Sequence, residues 1–212
     1  MKKPFVSLIL CLPFGLLATE NIENIYTNCG LNNQSIKLAK IIINYEGQNR
    51  IQLYCNKALA KAANIKAKQL ATVDRIRHNI YNTSPNQFLR AQGFQLPILY
   101  EVIGNQVEAV SGGKTTPQET FDYFMTSSEH KKHLLGENDF YRSQNQIAVG
   151  FYEDKSKKYE QYWVVYITKK KSKADKPLFN VKHKIIFSHN IKKKSERKRY
   201  NPKDIDTSKY HK

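Results

Sequence analysis

The sequence predicts an α/β fold, an α-β-α sandwich with helices on both sides of a small antiparallel sheet. Apolar residues recur at helical spacing in several segments, whereas segments 146–153 and 161–168 are rich in aromatic and β-branched residues. Helices and strands in this order pack most simply as layers around one sheet. The 212 residues suffice for one domain with tails, and the hydrophobic fraction of 40% supports a packed core.

The first half of the chain carries the clearest helix signals. One helix is predicted over residues 35–46, before Gly47, and a longer one over 56–77, running up to His78. A short segment is predicted to begin at 84–86, to run through Leu89 and to stop near Gly93. The longer helix has an apolar stripe made of Leu59, Ala62, Ala63, Ala67, Leu70 and Val73. Its lysines are expected to lie mostly off that stripe: Lys57, Lys61, Lys66 and Lys68.

The second half begins with residues 97–110, which mix strand and turn signals. Thr116 is a good helix N-cap, because a proline follows it and Glu119 can return a hydrogen bond. This helix is predicted to continue to about Leu135. Segments 146–153 and 161–168 flank a polar loop and are predicted to form an antiparallel pair.

The two ends of the chain differ from the middle. Residues 1–18 are typical of an export signal, because lysines precede an apolar run that is too short and too broken to span a membrane. Cys11 follows three aliphatic residues, which leaves open a lipoprotein signal and membrane anchoring. The predicted divisions are a signal over 1–18, a polar lead-in over 19–34, the domain over 35–168, and a basic tail over 169–212 that is expected to be disordered.

Most of the net charge of +17 lies in the tail, where sixteen Lys/Arg outnumber four Asp/Glu between Lys169 and Lys212. Such lysine clusters attract glycosaminoglycans or anionic lipid head groups. Nucleic acid is not an expected partner of an exported protein. The alternative is a solvated tail without a specific partner.

Two cysteines remain after the predicted signal, Cys29 and Cys55. In an oxidising compartment they could form a disulfide, and two free, half-buried thiols are the alternative. Metal binding by this pair alone is not expected, because a closed zinc site uses four ligands.

Three groups of motifs follow one another along residues 36–168. The first is Asn44 and Leu53, followed by the alanine-rich helix and His78; the second is Phe124, Ser127, His130, Lys131, Leu134 and Leu135; the third is Ile147 to Gly150, with Tyr162 and Trp163. In this order and spacing they resemble the bacterial branch of the CAP superfamily, the SCP-like extracellular domain. Phe124 stands where that family usually has tryptophan.

The resemblance implies a cleft in which His78 and His130 meet acidic residues and sometimes hold a divalent cation such as zinc. The family's Gly-Glu-Asn tripeptide corresponds here to 104–106, so Asn105 replaces the usual glutamate. Glu101 and Glu108 lie three residues to either side and are candidate substitutes. Two histidines alone under-coordinate a metal, so cleft histidines without metal are the alternative. His133 is either a further ligand or a partner of the helix dipole.

Three functional hypotheses follow. The first is an exported or surface-located, non-enzymatic CAP protein that binds a ligand in its cleft, including a lipid or sterol, or a host or envelope component. The second is a metal-assisted hydrolase that uses His78 and His130. Ser127 is the candidate nucleophile there, although a serine one turn before a histidine more often caps its own helix. The third is an adhesin that binds polyanions through its tail.

Overall fold

A computed structural model describes residues 25–172. The predicted signal with Cys11 and most of the basic tail lie outside the described residues. The described helices are α1 Asn33–Asn44, α2 Lys57–Val73, α3 Pro85–Ala91, α4 Pro117–Met125, α5 Ser128–Leu135 and α6 Asp139–Arg142. The strands are β1 Tyr54–Cys55, β2 Glu108–Gly112, β3 Gln146–Glu153 and β4 Gln161–Thr168. A 3-10 turn, Thr27–Cys29, precedes α1.

The four described strands form one sheet in the order β1-β3-β4-β2. β3 and β4 are antiparallel over the segments that the sequence predicted, and β2 joins β4 antiparallel at the edge. The mixed signals of 97–110 therefore resolve into a loop and the start of this edge strand. The two-residue β1 adds a short parallel pairing to β3, which the sequence did not predict.

Alternate residues of the central strands enter two separate cores, which makes the fold an α-β-α sandwich. On one face Ala148, Val164 and Tyr166 pack against α2 and α3. On the other face Val149 and Trp163 pack against α1, α4 and α5. Period-two alternation of buried side chains is what a sheet covered on both faces requires. The predicted fold class is confirmed.

Two close contacts fix the layers. Cys29 and Cys55 form a disulfide that ties the 3-10 turn to β1. Residues 25–34 of the predicted lead-in therefore belong to the domain. Gly150 lets α2 approach β3 closely, because a Cβ at this position would lie 2.2 Å from the backbone of Ala63.

Two helix predictions need correction. The long helix ends at Val73, where Asp74 takes a left-handed conformation, so His78 lies in the irregular segment that follows. The single helix expected from Pro117 to about Leu135 is two helices, because Ser127 has extended backbone angles and caps the second. A helical apolar pattern can run through such a break, which is why the sequence did not reveal it.

Candidate functional site

The site is centred on Glu108, whose side chain is fully buried at the start of β2. Its Oε1 lies 3.0 Å from His78 Nδ1, and its Oε2 accepts a hydrogen bond from the Tyr166 hydroxyl at 2.8 Å. Tyr166 is the cross-strand neighbour of Glu108 on β4, so the sheet register brings the two side chains together. The candidate acid Glu108 therefore lies beside His78.

Lys66 lies at the same carboxylate and is only 1% exposed. Its Nζ is 3.7 Å from Glu108 Oε2 and donates a hydrogen bond to the His78 carbonyl. Burial lowers the pKa of Lys66, and Glu108 opposes that shift. The expectation that Lys66 lies off the apolar stripe is wrong: it occupies the stripe seven residues after Leu59 and faces the sheet.

The neighbours of His78 determine which ring nitrogen is free. A carboxylate only accepts hydrogen bonds, so Nδ1–H donates to Glu108. Asn105 Nδ2 also lies 3.1 Å from Nδ1, but it donates to the Glu108 carbonyl at 3.0 Å. The His78 side chain is 41% exposed. Its Nε2 is therefore the atom that can meet a ligand.

Asn105 organises the loop before β2. Its Oδ1 accepts hydrogen bonds from the backbone N–H groups of Val107 and Glu108. Asn105, which stands at the position of the glutamate expected from the motif, thus holds the backbone of Glu108, and the Glu108 side chain contacts His78.

Two other candidates lie apart from this carboxylate network. Glu101 is exposed on the preceding loop, beside Gly104. Ser127 is the N-cap of α5 and accepts a hydrogen bond from the His130 backbone N–H. A capping hydroxyl is engaged in its own helix, so this geometry does not favour a nucleophile.

His130 is half-buried against Phe124, with ring centroids 4.9 Å apart in an edge-on arrangement. Burial lowers its pKa, and the electrostatic interaction with His78 lowers it further. Its Nδ1 is buried and has no hydrogen-bond partner among the described residues. The two histidines are thus electrostatic neighbours without a shared hydrogen bond.

His133 is buried on α5 and belongs to the core. Its Nε2 lies 3.1 Å from the Ile167 carbonyl, so it carries the proton and donates. Burial lowers the pKa of His133 to about 3, which keeps the ring neutral. A neutral ring cannot act as the cation that favours a helix C-terminus, so that expectation is wrong.

The residues near His78 do not fit a zinc site. Glu108 is engaged by Lys66, Tyr166 and His78, and the proton on His133 Nε2 excludes that atom as a ligand. Within residues 25–172 no group of three or more His, Cys, Asp or Glu side chains could hold a metal ion. Catalytic zinc sites use three protein ligands.

The exposed edge of His78 opens into a shallow depression of about 530 Å³. It is lined by Arg77, His78, Asn79, Ser84, Ile103, Gly104 and Asn105. Arg77 supplies a fixed positive charge, and His78 and the two asparagines supply hydrogen-bonding groups. The depression can hold a polar or anionic group. His130 is not part of its lining.

Comparison with solved structures identifies the fold. An extracellular protein of Bacillus anthracis that contains an SCP domain superposes with a TM-score of 0.51 and 16% identity, over 74% of this chain and 45% of that chain. An outer surface protein of Borrelia burgdorferi superposes with a TM-score of 0.47 and 18% identity, over 73% of this chain and 96% of that chain. No family model and no curated protein matches the sequence. The chain has a bacterial SCP-like, or CAP, fold.

The structure also bears on membrane spans. Between residues 25 and 172 no helix is both long and apolar enough to cross a bilayer.

Proposed function

We propose that this protein is exported and binds, without chemical conversion, a ligand that presents a carboxylate or phosphate to the His78 depression. The observation that carries the proposal is the engagement of Glu108. Lys66, Tyr166 and His78 occupy its two oxygens, so neither a free general base nor a free metal ligand remains there. What faces solvent is a set of groups that can contact an anion. The Arg77 guanidinium and the neighbouring amides donate hydrogen bonds, and His78 donates from Nε2 when the ring carries both protons.

Export is supported by the sequence of residues 1–18 and by the disulfide between Cys29 and Cys55. The Bacillus anthracis protein with the same fold is itself described as extracellular. A secreted or surface location therefore belongs to the proposal. A lipid anchor at Cys11 remains a prediction from the sequence, as does polyanion binding by the tail.

The ligand site is tested with inorganic phosphate and acetate as probes, followed by NMR of the His78 ring protons and of the backbone amides of Asn79 and Asn105, which line the same depression. We expect both anions to shift these signals and the double variant Arg77→Gln/His78→Gln, followed by the two amides, to lose binding. Arg75→Gln is the matched control, because Arg75 is an exposed arginine just outside the depression. Equal binding by the double variant and the control would exclude this site.

The absence of a metal requirement is tested by thermal unfolding with and without zinc. A metal at 100 times its dissociation constant would raise the free energy of unfolding by roughly 2.7 kcal/mol. We expect no such rise. A rise that His78→Ala/His130→Ala removes, together with His78-dependent cleavage of peptide or ester substrates, would favour the metal-assisted hydrolase instead.

A further inference from the structure

The loop between α3 and β2 exposes a cluster of aliphatic side chains. Ile98, Leu99, Val102 and Ile103 are 49–77% exposed. We call these four residues the apolar loop. Single exposed aliphatic residues are ordinary on protein surfaces, but a contiguous group of this kind marks a site of contact with a protein or a membrane.

The backbone of this loop is fixed. Arg90 donates hydrogen bonds to the carbonyls of Tyr100 and Glu101, both at 2.9 Å. Buried Asn86 donates to the same Glu101 carbonyl at 2.9 Å. The Tyr100 side chain lies inside the core, where its hydroxyl accepts a hydrogen bond from Gln144. The aliphatic side chains therefore point outward from a well-tethered loop.

Positive charge lies beside the loop. The Lys171 backbone N–H donates to the Gln95 carbonyl at 2.9 Å, three residues before the first member of the apolar loop. Lys169, Lys170 and Lys171 are partly or fully exposed there. The chain that continues from this point carries thirteen further Lys/Arg and four Asp/Glu. The apolar loop is thus flanked by the start of the most basic segment of the protein.

We propose that the apolar loop and Lys169 to Lys171 dock the protein on a membrane surface that contains anionic lipid. Interfacial binding combines buried apolar area with electrostatic attraction to anionic head groups, and each lysine near such a surface adds to that attraction. A protein partner fits less well, because protein hot spots are rich in Trp, Tyr and Arg and poor in Leu and Val. The inference goes beyond the proposed ligand site.

Glu101 is the one acidic side chain in the loop, and it opposes anionic lipid. Because it is exposed, its removal should not disturb the fold. Glu101→Gln is therefore expected to strengthen binding to anionic vesicles, whereas the same change is expected to leave binding to a neutral vesicle unaltered.

The test is vesicle flotation of the chain without residues 1–18, which retains every residue that the structure describes. Vesicles contain phosphatidylcholine with or without phosphatidylglycerol. We expect binding to the anionic vesicles, weakened about tenfold or more by Leu99→Ser/Val102→Ser through loss of apolar area; neither residue lines the His78 depression. Ile51→Ser/Ile65→Ser is the matched control, because both residues are exposed isoleucines outside the loop. Replacement of Lys169, Lys170 and Lys171 by glutamine is expected to weaken binding as well.

Insertion has its own readout. Leu99→Trp is expected to give a blue-shifted fluorescence on addition of anionic vesicles, while Trp163 is fully buried and gives a constant background. The proposal is overturned if the loop variant binds as well as its control, if the blue shift is absent, or if truncation after Ser172 alone removes binding. It is also overturned if no vesicle binds. A phosphate response at His78 that persists in the loop variant would separate this surface from the ligand site.

Discussion

Lys66 is the residue whose environment most constrains the site. A buried ammonium group is costly to desolvate unless a counter-charge and hydrogen bonds surround it. Here the counter-charge is Glu108 and one hydrogen-bond acceptor is the His78 carbonyl. The ammonium also lies 5.5 Å from the centre of the Phe88 ring, a cation–π contact. The lysine thereby links the middle of α2 to the edge strand β2 and to the segment that carries His78.

Lys66→Met is expected to destabilise the protein by about 3–5 kcal/mol, because it leaves a buried carboxylate without its cation. The measurement is urea unfolding at neutral pH. Lys68→Met changes an exposed lysine on the same helix and is expected to stay within about 0.5 kcal/mol of the parent. Adding Glu108→Gln to Lys66→Met should recover part of the loss. If Lys66→Met alone were neutral, the pair would not be a buried interaction.

Part of this site could be predicted from the sequence and part could not. The motif pattern pointed to His78, and the search for a substitute acid included Glu108, which contacts it. The pattern could not separate Glu108 from Glu101, because only the strand register decides which side chain faces inward. Lys66 and Tyr166 were missed. Lysine usually lies outside a core and tyrosine is ordinary within one, so neither residue type signals a site.

His133 couples stability to pH. Its pKa is about 3 in the folded protein, lowered by burial from an ordinary value of 6.5. The unfolded chain therefore binds a proton between these values that the native protein does not, and the free energy of unfolding falls as pH falls through this window. His133→Gln is expected to remove up to about 2.7 kcal/mol of the drop between pH 6.5 and 4.5. Urea unfolding of the parent and of His133→Gln at both pH values measures this difference. The prediction is contradicted if the free energy of unfolding drops equally in the two proteins.

At the scale of elements, the break between α4 and α5 sets where His130 lies. Ser127 leaves helical geometry and its hydroxyl accepts the His130 backbone N–H. The new helix places His130 against Phe124 and turns His133 into the core. A continuous helix would carry these side chains in other directions, since helical residues advance by about 100° each.

Ser127→Ala is expected to lower the free energy of unfolding by about 1 kcal/mol, because it removes an N-cap acceptor. Ser127→Asp should largely retain the cap. Ser128→Ala, the exposed neighbour at the first helical position, is the control and should be nearly neutral. Thermal or urea unfolding of the three variants decides it. Equal stability of Ser127→Ala and Ser128→Ala would show that the hydroxyl does not cap the helix.

The elements also differ in how well the sequence predicted them. β3 and β4 were predicted with their observed bounds, because β-branched and aromatic runs separated by a polar loop have few alternatives. The two-residue β1 was missed, since so short a strand leaves no periodic pattern and depends on pairing with β3. The end of α2 was misplaced for a different reason. There the apolar pattern continues after Asp74 has left helical geometry.

At the scale of the whole molecule, the net charge is concentrated towards the C-terminal end of the sequence. Both described cores lie within residues 25–172, whereas residues 173–212, with thirteen Lys/Arg and four Asp/Glu, contribute +9 of the net charge of +17. Charge on a tail changes association with polyanions far more than it changes packing. Stability and polyanion binding should therefore respond independently to changes in the two regions.

Truncation after Ser172 tests this separation. The shortened chain, again without residues 1–18, is expected to unfold at the same urea concentration as its full-length counterpart, because every described contact is retained. It is expected to elute from heparin at much lower salt, because it has fewer cationic groups to bind the polyanion. Salt then screens the weaker attraction that the shortened chain retains. Each measurement can contradict the prediction on its own. Loss of stability would show that the tail packs on the domain, and unchanged elution would place polyanion binding within the domain and remove the case for an adhesive tail.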